Sequence, residues 1–255
     1  MISNEDKIDA VSTLAPHRAL TDFYPAPAQR ARFVSDLFDR AAADYDWMSG
    51  AMSLGTDRAY RRRALRQAGL KAGMRLLDVA TGTGLVAQAA RDLGIAAGGI
   101  IGLDPSQGML AENRKRNAIQ LVRGFGERLP FRDGTFDFVT MGYALRHVDD
   151  LGRLFGEFHR VLRRPGRMLA LEITRPSSRL GFGLMRFYMQ RLLPALSRFG
   201  ARQDDSARLM EYYWATIAEC VSPATILAAL RGAEFNTVAR RTSARILSEY
   251  LAVKE

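Results

Sequence analysis

The stretch from Met74 to Gly84 limits what this chain can fold into more than any other. An apolar run at residues 74–79 passes straight into Thr81, Gly82, Thr83 and Gly84. A run of that length bounded by glycines reads as a buried strand, and residues 85–93 after it as a helix. Open α/β sheets receive ligands at such a strand-to-helix turn, and Gly82 and Gly84 have no Cβ to hold a ligand off the backbone. The pattern then repeats. Residues 99–104 read as a second strand ending in Asp104, and Pro105 opens a helix over 106–116. Strands follow at 119–123 and 136–141. Leu151, Leu154, Phe155, Phe158, Val161 and Leu162 mark an amphipathic helix that stops at Pro165 and Gly166, and a strand follows at 168–174. Such alternation implies a parallel sheet covered by helices on both faces.

The ends of the chain read differently. Residues 1–30 are polar, carry Pro25 and Pro27, and are expected to form a loosely held, flexible extension. Residues 31–255 then make a single domain. Val34, Leu37, Phe38, Ala41, Tyr45 and Met48 fall at helical spacing. Residues 179–200 are rich in Leu, Phe and Met with Pro194 among them, a helix is expected at 204–219, and together they suggest a helical lid over about 175–220. Its apolar residues suit either core packing or a greasy wall for a lipophilic tail, which Tyr212, Tyr213 and Trp214 continue. Ser222 and Pro223 open a last helix, and 235–241 and 246–253 read as two closing strands.

Composition excludes several classes. Cys220 is the one cysteine, so neither a disulfide framework nor a cysteine-held zinc is available. His17, His147 and His159 are scattered, and no metal site is expected. No apolar run approaches the ~18 residues of a membrane span. The N-terminus lacks the apolar stretch of a signal peptide, which points to a reducing, cytoplasmic setting. The net charge of +10 comes mostly from arginines spread from Arg30 to Arg245. Nucleic-acid binding wants such charge on one face, so it is the weakest reading of that excess. Arg58, Arg62 and Arg66 share a helical face, which suits either plain solvation or peripheral contact with an anionic membrane.

Gly82, Gly84 and Ala87 also fit a loose dinucleotide fingerprint. Three features point elsewhere. Asp78 ends the first strand where a carboxylate can meet an ammonium group, and Asp104 can accept both hydroxyls of a ribose. Gly126, Glu127 and Phe131, then Phe136 to Val139, place a loop beside an adenine-sized pocket. Two strands after the last helix suit a seven-stranded sheet. With these residues the chain resembles the class I S-adenosylmethionine-dependent methyltransferases.

Within that superfamily it is similar to the ubiquinone/menaquinone biosynthesis C-methyltransferases. The similarity is carried by the run from Phe38 through Tyr45 and Met48 to Met52, Gly55 and Arg58, by Gly142 to Val148, and by Arg160 to Glu172. The chain departs from that family's pattern at Ser49, Asp57, Phe125 and His147. The resemblance implies a seven-stranded, mostly parallel Rossmann-like methyltransferase sheet with a helical lid, and S-adenosyl-L-methionine as cofactor. It implies cofactor contacts at Asp78, Thr81, Gly82, Thr83, Gly84, Asp104, Met109, Phe125, Gly126, Glu127 and Gly142. A lipophilic acceptor would meet Tyr45, Met48, Arg146, Phe187 and Tyr188. Arg146 is expected to order a water that takes the acceptor's proton, and His147 is the base candidate by residue type. The acceptor stays open between a prenylated quinol or phenol, a phospholipid amine and a small aromatic hydroxyl; a non-catalytic binding protein is the remaining alternative.

Overall fold

Seven strands form one sheet. They are β1 (Leu76–Val79), β2 (Ile100–Asp104), β3 (Gln120–Arg123), β4 (Phe136–Gly142), β5 (Leu162–Ile173), β6 (Thr237–Ser243) and β7 (Leu247–Lys254), and they lie in the order β3-β2-β1-β4-β5-β7-β6. The computed structural model describes residues 13–193, 205–243 and 246–255. All pairings from β3 to β5 are parallel; β7 runs antiparallel to both of its neighbours. The expected α/β sheet is present, closing strands included. All four residues of β1 are buried, as a strand covered on both faces requires.

Helices α1 (Arg30–Ala41), α2 (Tyr45–Ser53), α3 (Asp57–Gln67), α4 (Leu85–Arg91), α5 (Gln107–Arg116), α6 (Leu151–Val161), α7 (Arg179–Phe187), α8 (Asp205–Glu219) and α9 (Pro223–Gly232) surround it. Their starts are chemically marked. Ser106 accepts from the Met109 amide, Asp150 from Gly152 and Arg153, Ser178 from Gly181, and Ser222 from Thr225. Leu154, Phe155, Phe158 and Val161 of α6 pack on Val139 and Met141 of one sheet face. Leu65 of α3 and Val86 and Ala90 of α4 cover the other face.

Three expectations need correction. The fifth strand starts at Leu162 rather than 168, because Leu162 already pairs with Phe136 and a register shift before Phe138 absorbs the intervening residues. Pro165 and Gly166 sit in that irregular part, where a missing N–H is tolerated. The N-terminal segment is not loose from residue 13 onward. The Leu14 carbonyl accepts from Leu151 N at 3.0 Å and the Pro16 carbonyl from Val221 N at 2.8 Å, while His17, Leu20 and Tyr24 are buried. The lid divides in two. Leu209, Tyr212, Tyr213 and Ile217 of α8 join Leu20, Tyr24, Val34 and Leu37 in a third core. By contrast, Leu180, Leu184 and Phe187 of α7 face outward. Pro194 lies outside the described residues.

Candidate active site

A cleft opens at the carboxyl ends of β1, β2 and β4, where the strand order turns from β1 to β4. Gly82, Asp104, Met109, Phe125, Gly126, Glu127 and Gly142 line it. So do the aromatic rings of Phe38, Tyr45, His147 and Tyr213.

Asp104 joins the loop to the cleft. Its Oδ2 accepts from Gly82 N and its Oδ1 from Ser106 N, both at 2.8 Å. Each carboxylate oxygen keeps a lone pair for a further donor. Burial, with Asp78 and Asp39 nearby, pushes this carboxyl up to about 6. Helix α1 is tied to the same corner, since Asp39 accepts from Ser106 Oγ at 2.5 Å and from Gly108 N at 2.7 Å. Glycines keep the walls close. A Cβ on Gly126 would stand 2.6 Å from Leu154, and one on Gly142 would stand 2.6 Å from Arg61.

Part of the expected cofactor set lies behind this surface. Asp78 is fully buried and accepts from Thr81 Oγ1 at 2.7 Å and Thr140 Oγ1 at 2.9 Å, so it braces the loop from below instead of lining the cleft. Its removal from water raises the carboxyl to about 6. Thr83 hydrogen-bonds Asp46 of α2. Gly84, at φ +90°, leaves room for the buried Asn113 and Asn117 side chains. The carbonyl of Gly82 accepts from Asn113 Nδ2 at 3.0 Å. These residues shape the loop and leave Gly82 to face the ligand space.

The acceptor side changes most against expectation. Arg146 does not line the cleft. It is 1% exposed, ion-paired with the equally buried Glu172, and donates to the Tyr143 carbonyl at 2.9 Å and to Thr216 Oγ1 at 3.2 Å. The Tyr213 ring covers its guanidinium. Its Nε and Nη1 donors are committed to protein acceptors and the side chain does not line the cleft, which gives it a framework role in place of the expected ordering of water. Met48 packs in the third core. Tyr188 donates to the Ala51 and Met52 carbonyls at 3.2 Å, tying α2 to the turn after α7, and Phe187 is 61% exposed. Among the five expected acceptor contacts, only Tyr45 lines the cleft.

His147 does line it. The ring lies between the edge of Phe38 and the faces of Tyr212 and Tyr213. Neither ring nitrogen has a partner among the described residues. Burial, reinforced by Arg146, Arg30 and His17, holds its pKa well below the usual histidine value, so the ring is neutral near pH 7. Beside it Tyr213 donates to the Tyr45 hydroxyl at 3.2 Å. Sequence reasoning missed Phe38 as a wall residue. The apolar periodicity of α1 marked it as inward-facing without saying what it faces.

The sequence model described as the ubiE/COQ5 methyltransferase family matches residues 26–250. The chain is 37% identical over 201 residues to a demethylmenaquinone methyltransferase of Symbiobacterium thermophilum, covering 74% of this chain and 78% of that protein. It is 35% identical over 190 residues to a ubiquinone/menaquinone biosynthesis C-methyltransferase of Marinomonas sp., covering 71% and 75%. Among solved structures, a methyltransferase of Thermotoga maritima superposes with a TM-score of 0.60 at 19% identity, covering 86% of this chain and 99% of that one. That last likeness concerns the fold alone.

Proposed function

The chain belongs to the ubiE/COQ5 methyltransferase family, and from that premise we propose that it transfers a methyl group to a ring carbon of a prenylated quinol or phenol. It is a methyltransferase that uses S-adenosyl-L-methionine. The cleft fits that cofactor: a buried carboxylate with free lone pairs stands at the end of β2, and Gly82 and Gly126 let backbone approach. Asp104 would hold the ribose hydroxyls, with Met109, Phe125 and Gly126 around the base. When bound, the cofactor supplies a methyl group on a sulfonium for in-line displacement. The protein contributes position and exclusion of water. Helix α1 is held at the start of α5 through Asp39, and the aromatic wall lines the cleft with apolar surface.

The observation that carries the acceptor assignment is that wall. Phe38, Tyr45, His147 and Tyr213 offer ring faces and edges to a flat aromatic acceptor. The relatives named above as demethylmenaquinone and ubiquinone/menaquinone methyltransferases support the same class. The test supplies labelled cofactor with a reduced demethylmenaquinol, phosphatidylethanolamine and 1-naphthol in parallel. Label on the ring carbon of the quinol is expected; label confined to the phospholipid refutes the assignment.

A prenylated acceptor resides in lipid, and the outward stripe of α7 gives the reading a place to dock. Leu180, Leu184 and Phe187 repeat at helical spacing and are exposed, with Arg179 and Arg186 exposed among them. Such a face suits an anionic membrane surface. No single helix among the described residues is long and apolar enough to cross a membrane. The arginine face of α3 is a poorer candidate. Arg58 is engaged by Asp92 at 2.8 Å, and the neighbouring Arg61 is buried against Asp57. Flotation with anionic vesicles should be lost on Leu184→Glu, with thermal stability unchanged; equal flotation of the variant removes α7 from the proposal.

A further inference from the structure

The geometry points to His147 as the catalytic base, taking the acceptor's hydroxyl proton directly on a ring nitrogen as the ring carbon receives the methyl group. This rests on the proposed phenolic acceptor. Three observations carry it. His147 lines the same cleft as Asp104, and among the described residues neither of its nitrogens has a partner although both are shielded from solvent. A buried polar atom left unpaired costs about 1–3 kcal/mol, so an unpaired imidazole at a ligand cleft is a group awaiting a donor. The aromatic packing fixes its ring plane, with Phe38 at its edge and Tyr212 and Tyr213 stacked on it, and turning the ring would break those contacts.

The charged and titratable groups around the ring decide its state. Arg146, Arg30 and His17 disfavour a positive charge on the ring, while Tyr212 and Tyr213 stack on it and Tyr45, Glu127 and Asp149 share the cleft. His147 is therefore free to accept at neutral pH. The step balances. The acceptor's O–H proton moves to His147, the ring carbon bonds to the methyl carbon, and the electron pair of the broken carbon–sulfur bond stays on sulfur. One positive charge arrives on the imidazole as one is lost from the sulfonium, so the net charge of the cleft is constant. The dienone so formed loses its ring C–H proton to solvent while His147 returns its proton to oxygen, releasing one proton per turnover. Arg146, adjacent in sequence, acts behind it as a positioning residue that holds the turn Leu145–His147 through Tyr143 and Glu172.

Two measurements test this. In single-turnover reactions with a demethylmenaquinol, His147→Asn should lower the rate at pH 7 by about 10²–10⁴-fold, with cofactor affinity by calorimetry within twofold of wild type. Wild-type turnover should be flat from about pH 6 to 9. The variant's rate should rise about tenfold per pH unit toward the acceptor's own ionisation near ~10, because only preformed phenolate can then react. In the second measurement, ¹⁵N NMR of the wild-type imidazole on addition of 1-naphthol should show one ring nitrogen shifting as a hydrogen-bond acceptor. Near-wild-type turnover of His147→Asn, an unchanged pH profile, or an imidazole signal indifferent to 1-naphthol would each overturn the assignment. The NMR arm needs no turnover. A wild-type enzyme that methylates no quinol, yet shows the shift with 1-naphthol, counts against the acceptor and for His147.

Discussion

Replacing Arg146 should damage folding before it damages chemistry. The Arg146–Glu172 pair is 1% exposed on both sides, so Arg146→Met leaves a carboxylate without its counter-ion in a dry interior. Breaking such a pair from one side typically costs about 3–5 kcal/mol, a large part of the 5–15 kcal/mol that holds an ordinary domain together. The double variant Arg146→Met/Glu172→Leu removes both charges and leaves a different deficit. The Tyr143 carbonyl loses a donor and the Ile173 amide loses the Glu172 oxygen it reaches at 2.7 Å, while Thr216 keeps its bonds to the Tyr212 and Tyr213 carbonyls. Two orphaned backbone groups at about 1–3 kcal/mol each are offset by about 1–4 kcal/mol of desolvation no longer borne, so the double variant should be the more stable of the two. Urea unfolding followed by tryptophan fluorescence reads this, because Trp214 lies in the third core beside Tyr213. A double variant no more stable than Arg146→Met would refute the buried-pair reasoning. So would an Arg146→Met chain of wild-type stability that had lost turnover, which would return Arg146 to the chemistry.

Two more outcomes follow from the cofactor side. The Asp104 carboxyl sits at about 6 against 3.8 for the free residue, so its favourable contribution to folding is present below about pH 4 and falls away as pH rises to 6. Ribose hydroxyls donate to the ionised form, so cofactor binding should tighten as pH rises through 6 and release a fraction of a proton near pH 6. Calorimetry in buffers of different ionisation enthalpy measures that release, and no buffer dependence at pH 6 contradicts it. Asp104→Asn should weaken the cofactor by about 1.5–3 kcal/mol and abolish the pH dependence. Gly84→Ala would force a Cβ to 2.2 Å from Asn117 Nδ2 at φ +90°, and backbone strain plus overpacking should cost roughly 2–5 kcal/mol. A melting temperature within about 2 °C of wild type would show that Asn113 and Asn117 can move aside.

The sequence by itself determined the parts of this protein that depend on short spans of chain. Asp78, Gly82, Gly84 and Asp104 are legible because strand, turn and helix signals lie within a few residues of one another, and a buried parallel strand shows itself as a short, mostly apolar run. Gly82 and Asp104 line the cleft as that local grammar suggests, while Met109, Phe125, Gly126, Glu127 and Gly142, which line it too, were named through the family resemblance. Which polar side chain reaches the ligand did not. Arg146 and His147 are neighbours in one 3₁₀ turn, yet the first is consumed by Glu172, 26 residues on, and Thr216, 70 residues on, while the second is turned into the cleft. Asp78 and Asp104 look equivalent as strand-end carboxylates, but Thr81 and Thr140 close over one and leave the other at the surface of the cleft. Phe187 and Met48 are equally apolar in sequence; packing of α2, α8 and the N-terminal segment buries Met48 and leaves Phe187 outside. Hydrogen bonds and burial are settled by partners far along the chain, and only the assembled core says which donors and acceptors are already taken and which remain for a substrate.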